Sequence, residues 1–124
     1  MKQLLITIVA VVLVGCEANA PKGFVHIYAR EGDIAAVKQH LAAGTDVNAT
    51  DEFLGMTILH DAVLGGQKEI VEFLIAEGAD VNAMGRTSLT PLDTALKASL
   101  NKEIADLLRK HGGKTGEELE AAAK

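Results

Sequence analysis

Tryptophan is absent from this 124-residue chain, tyrosine occurs once, phenylalanine three times and proline twice. With aromatics at 3% and hydrophobic residues at 48%, the core must be built from Ala, Val, Leu and Ile. Small aliphatic side chains suit helices stacked closely side by side. They do not suit a deep ligand cavity, which is lined largely by aromatic groups. Basic residues are also few: 12 Lys and Arg against 17 Asp and Glu leave a net charge of −5. Only Arg109-Lys110-His111 forms a small basic cluster. No basic stripe exists to neutralise phosphates, which argues against nucleic-acid binding. There is one cysteine, Cys16, so no disulfide can form within the chain. The apolar run Leu4–Val14 is eleven residues, well short of the roughly twenty needed to span a membrane. The length allows one small domain plus attachments.

What is present begins at the N-terminus. Met1-Lys2-Gln3 gives a short positive start, Leu4–Val14 carries no charge, and Gly15-Cys16 ends the run. That layout is a secretory signal. Leu13-Val14-Gly15-Cys16 resembles the lipobox of bacterial lipoproteins. The resemblance implies cleavage before Cys16, a signal peptide over 1–15, and acylation of the Cys16 thiol and of the new amino terminus. Stable attachment needs at least two lipid chains, and such a cysteine would carry them. Residues 16–22 would then be a polar tether. Glu17, where that family uses Asp for inner-membrane retention in enteric bacteria, leans toward the outer membrane. Ala18-Asn19-Ala20 offers an ordinary cleavage site, so the alternative is a secreted or periplasmic soluble protein.

Beyond the tether the chain repeats itself. Gly44-Thr45-Asp46-Val47-Asn48-Ala49 returns 34 residues later as Gly78-Ala79-Asp80-Val81-Asn82-Ala83. His26 and His60, Gly32 and Gly66, and Val37 and Val71 keep the same spacing. Three units follow, over 23–50, 51–84 and 85–114, with 115–124 left as a C-terminal capping helix or tail. Lys68–Glu77 places Ile70, Val71, Leu74 and Ile75 on one helical face. Gly44, Gly78 and Gly112 each sit where a helix wants a left-handed residue after its end. Thr115-Gly116-Glu117-Glu118 has the form of a capping box. The fold class is therefore all-α, with each unit a helix, a turn, a second helix and a loop.

Thr57-Ile58-Leu59-His60-Asp61-Ala62 and Thr90-Pro91-Leu92-Asp93-Thr94-Ala95 resemble the Thr-Pro-Leu-His-x-Ala signature of ankyrin repeats. The stretch from Lys68 to Asn82 is similar to the rest of that consensus. The resemblance covers about 90 residues and implies an ankyrin-repeat solenoid of about three repeats with short hairpin loops. Three stacked repeats are about the minimum for a shared core. The departures are Ile58 in place of Pro, Asp93 in place of His, a longer turn at Asp51–Gly55, an extra residue near Ala98–Asn101, and a first unit without Thr-Pro-Leu. The resemblance implies structural roles for His26 and His60, which would hydrogen-bond between neighbouring loops, and for the loop residues Asp46, Asn48, Asp80 and Asn82.

Chemistry-bearing patterns are sparse. The four histidines form no His-x-x-x-His pair and have no second cysteine, so no zinc ligand set is expected. Gly112-Gly113-Lys114-Thr115 resembles the end of a phosphate loop, but Leu108 stands where the motif needs Gly. Asn48-Ala49-Thr50 is an accidental sequon. No residue is singled out as a nucleophile with a base beside it. The expectation is a non-enzyme with no catalytic residue, no metal and no cofactor.

The ankyrin resemblance implies that a partner touches the loop tips and the first helices. Phe53, Leu54 and Met56 crowd apolar side chains into one tip, an interaction signature. The competing reading is that Phe53 or Leu54 folds back onto the stack. Met84 and Arg86 on the next tip are further candidates, and Tyr28, Arg30, Asp61 and Leu64 on the first helices are weaker ones. The function expected is a membrane-tethered, monomeric protein-interaction module of the bacterial cell envelope, scaffolding or masking an unidentified protein partner. The alternatives are an immunity or inhibitor protein that neutralises a toxin or envelope enzyme, and, in another class, a small-ligand sensor or enzyme.

Overall fold

The computed structural model describes residues 23–98 and 101–123. The expected signal peptide, Cys16 and the tether lie outside the described residues, as does part of the extra stretch near Ala98–Asn101. Seven α-helices and no strand occur among the described residues: α1 Phe24–Glu31, α2 Ile34–Ala42, α3 Ile58–Leu64, α4 Lys68–Ala76, α5 Pro91–Ala98, α6 Lys102–Lys110 and α7 Gly116–Ala123. They form three helix–turn–helix units followed by one further helix. The first helices pack in a row, α1 on α3 and α3 on α5, and the second helices do the same, α2 on α4 and α4 on α6.

Local chemistry sets the boundaries. The Asp33 carboxylate accepts from the Ala36 N–H at 3.1 Å and opens α2, and Asn101 accepts from the Glu103 N–H at 3.1 Å and opens α6. The second helices stop at Gly44, Gly78 and Gly112, whose φ values are +102°, +94° and +87°. There the chain turns left-handed, and the next residue's N–H closes back on the carbonyl of His40, Leu74 or Leu108. A side chain at these positions would be strained.

The core is one cluster running through all three units. Val25, Leu59 and Leu92 fill one repeat position, and Val37, Val71 and Ala105 fill another. Each fully buried Val or Leu contributes roughly 1.5–3 kcal/mol by leaving water. The position held by Leu74 and Leu108 is held in the first unit by His40, which is buried with its ring 5.7 Å from that of Tyr28. Its Nε2 meets no hydrogen-bond partner among the described residues. At Gly65 the first two units approach so closely that a Cβ would lie 2.0 Å from the Arg30 carbonyl oxygen.

The loops are tied in the same periodic way. Asp46 accepts from the Asn48 N–H and Asp80 from the Asn82 N–H, both at 2.9 Å. Each asparagine then reaches the next loop: Asn48 Oδ1 accepts from the Asp80 N–H at 2.8 Å, and Asn82 Oδ1 from the Lys114 N–H at 2.7 Å. The repeated phrase is thus a ladder of side-chain bonds between units.

Candidate functional site

The first helix of the first two units and the tip between them enclose an open cleft of about 960 Å³. One wall is α1, with Phe24, Ile27, Arg30 and Glu31. The other is the tip, with Asp51, Glu52, Phe53, Leu54 and Met56. His26 and Asp61 form the floor between them.

The tip is shaped by one carboxylate. Asp51 Oδ1 accepts from the N–H groups of Phe53, Leu54 and Gly55 at 2.9, 2.6 and 3.2 Å, and Oδ2 accepts from that of Met56 at 3.2 Å. Four amides that would otherwise face water are gathered inward, and the side chains of 53 and 54 are turned outward. Burial raises the Asp51 carboxyl, but the four amides outweigh it, so its pKa lies below the ordinary 3.8. Thr50 and Thr57 close the base of the tip as an isolated antiparallel bridge. The longer turn seen in the sequence is this wrapped loop.

Phe53 is 84% exposed and Leu54 is 49% exposed, so neither folds back onto the stack. Across the cleft, Ile27 is 49% and Phe24 42% exposed. Met56 is half-buried at the base. These side chains come together on one side of the molecule. Met84 and Arg86 do not line the cleft. Met84 is exposed on the second tip, while Arg86 braces the first tip from behind, its backbone N–H donating to Leu54 O at 2.8 Å and its Nη1 to Phe53 O at 3.2 Å.

Beneath the apolar rim lies an ionic floor. His26 Nδ1 donates to Asp61 Oδ2 at 2.7 Å, and the Arg30 guanidinium pairs with Asp61 Oδ1. Asp61 is 2% exposed, which corrects its candidacy as a contact residue: both its oxygens are spent inside the stack. His26 therefore joins its unit to a helix of the next unit and not to a loop. The ligand-type atoms of His26, Asp51 and Asp61 lie within 4.8 Å of one another. This grouping was invisible in the sequence, where the three are far apart. It fits a cation poorly, because Arg30 already occupies the charge and Asp51 is turned to its own backbone.

His60 behaves differently from His26. Its Nδ1 accepts from the Thr57 N–H at 3.1 Å, which leaves Nε2 to donate to Leu89 O, 2.9 Å away in the next loop. His26 has Gly23 in the place of Thr57, which offers no hydroxyl, and its Nδ1 turns to Asp61. In the third unit Asp93 takes the place of His60. Its Oδ2 accepts from the Thr90 N–H at 3.1 Å and from the Gly116 N–H at 2.7 Å. The exchange of donor for acceptor has a physical reason: the next element offers the N–H of a helix start, where the second unit was offered a loop carbonyl.

A family model described as ankyrin repeats (3 copies) matches residues 25–118. The chain is 39% identical over 62 residues to the 2-5A-dependent ribonuclease of Mus musculus, covering 50% of this chain and 8% of that protein. It is 38% identical over 86 residues to the serine/threonine-protein kinase VIK of Arabidopsis thaliana, covering 69% of this chain and 19% of that protein. It is 33% identical over 94 residues to the ARF GTPase-activating protein Git of Drosophila melanogaster, covering 76% and 13%. The chain thus matches less than a fifth of the length of each of these relatives.

Proposed function

We propose that this chain, which belongs to the ankyrin-repeat family, is a protein-binding module that docks its partner in the cleft between α1 and the first tip. Ankyrin repeats are a protein-interaction architecture, and the similar segments recur inside proteins of unrelated names. The observation that carries the reading is Phe53, an aromatic ring 84% exposed on a loop that Asp51 and Arg86 hold rigid. An exposed ring on a fixed support loses little entropy on binding, which is what an interface anchor requires. The finer reading is a module held on the surface of a bacterial membrane by lipid on Cys16, scaffolding or masking an envelope protein. It rests on the residues Leu13–Cys16 and the short stretch between Cys16 and α1.

The test uses the full chain in its own membrane. A photo-reactive residue in place of Phe53 should crosslink one protein of defined mass, and the same residue in place of Glu72, on the exposed side of α4, should not. No adduct at position 53 would remove the cleft as the docking site. Cys16→Ser should move the protein from the membrane to the soluble fraction, and its retention on the membrane would defeat the lipid tether.

A further inference from the structure

The cleft is apolar at its rim and acidic around it. Among the described residues, four carboxylates line it, Glu31, Asp51, Glu52 and Asp61, against one guanidinium, that of Arg30. Arg30 is committed to Asp61. Asp51 is turned onto four amides and pairs with no cationic side chain among the described residues. Glu31 and Glu52 are exposed on opposite walls, flanking Ile27 and Phe53. The whole chain carries −5 as well.

Building on the docking reading above, we infer that the occupant is a partner segment in which large apolar side chains alternate with Lys or Arg. The apolar groups bury Phe53, Ile27 and Leu54, and the basic groups meet Glu31 and Glu52 on either side. Charge complementarity selects this occupant over the others. A second copy of the chain would set Glu31 and Glu52 against carboxylates of their own kind, a like-charge contact that costs association. An anionic lipid surface would meet the same acidic rim. An acidic or phosphorylated segment is repelled for the same reason. Exposed pairs such as these act over roughly 10 Å at 0.1 M salt, so they set specificity and encounter rate and leave most of the affinity to the apolar contacts.

Fluorescence anisotropy with two labelled decapeptides tests this, one alternating Leu with Lys and the other Leu with Glu. The Leu–Lys probe should bind at least about tenfold more tightly at low salt, and the gap should close as salt rises. Phe53→Ser should weaken it about tenfold or more. Glu31→Lys with Glu52→Lys, both exposed and outside the core, should reverse the preference. If both probes bind equally and Phe53→Ser weakens both, the cleft stands as a docking site and the basic character of its occupant is wrong. If neither binds, the inferred occupant is wrong, while crosslinking at position 53 still decides the docking site. Flotation of the protein lacking residues 1–22 with anionic vesicles, lost in Phe53→Ser, would assign the cleft to a membrane and overturn the inference.

Discussion

His60 is wholly buried and has both ring nitrogens engaged, one by the Thr57 amide and one by the Leu89 carbonyl. Replacing it with Ala strands a buried donor and a buried acceptor and opens a cavity, at a cost of about 3 kcal/mol. Chemical denaturation of His60→Ala should read that loss. The residue also makes stability depend on pH. Burial lowers its pKa below 6.5, against the opposing pull of the Leu89 carbonyl and of Asp61 and Asp51. The unfolded chain therefore takes up a proton at this position before the folded chain does. Stability is intact above the unfolded value of 6.5 and falls as pH drops below it. The denaturation midpoint should decline from pH 7 to pH 5, and His60→Gln should flatten that decline. An unchanged slope in the variant would show that the acid sensitivity arises at another group.

At the scale of elements, the last repeat and α7 are joined through Asp93 and Thr90. Asp93 accepts from the first N–H of α7, and Thr90 Oγ1 donates to Lys114 O at 2.7 Å. A carboxylate at a helix N-terminus also meets the positive end of the helix dipole. Burial pushes the Asp93 carboxyl up, but the bonds from Gly116 and Thr90 and the charge of Lys97 bring it below 3.8. Asp93→Ala should cost about 1–2 kcal/mol in the full chain. Removing residues 115–124 should itself lower the melting temperature and should shrink the effect of Asp93→Ala, because the two changes delete one shared contact. Additive effects in this double-mutant cycle would mean that Asp93 acts within its own repeat only.

For the molecule as a whole, repeat spacing made the architecture legible: three units, their helices, the glycine stops and the Asp–Asn loops follow from residues 34 apart. Most of the cleft was not legible. The apolar cluster at Phe53–Met56 could be read, since it interrupts the pattern, but Phe24 and Ile27 look like ordinary helix residues until α1 is placed across from the tip. The outward turn of Phe53 depends on Asp51 collecting four amides, and nothing in the local pattern distinguishes that from an ordinary polar turn. Asp61 misled for the converse reason. A charged residue on a short helix looks exposed, and only the stacking of α1 on α3 places His26 and Arg30 over it. The donor-to-acceptor exchange between His60 and Asp93 has a consequence for growth of the array by duplication. A second copy of residues 51–84 inserted after Met84 meets a histidine donor above and supplies one below, so the lengthened chain should fold and melt at a higher temperature. The same copy joined after Lys114 presents its own Asp61, the carboxylate that meets His26 at the first joint, to the Asp93 carboxylate, acceptor against acceptor. It should stack poorly there until Asp93→His restores the donor, so the polarity of one side chain decides at which joint a new repeat can enter.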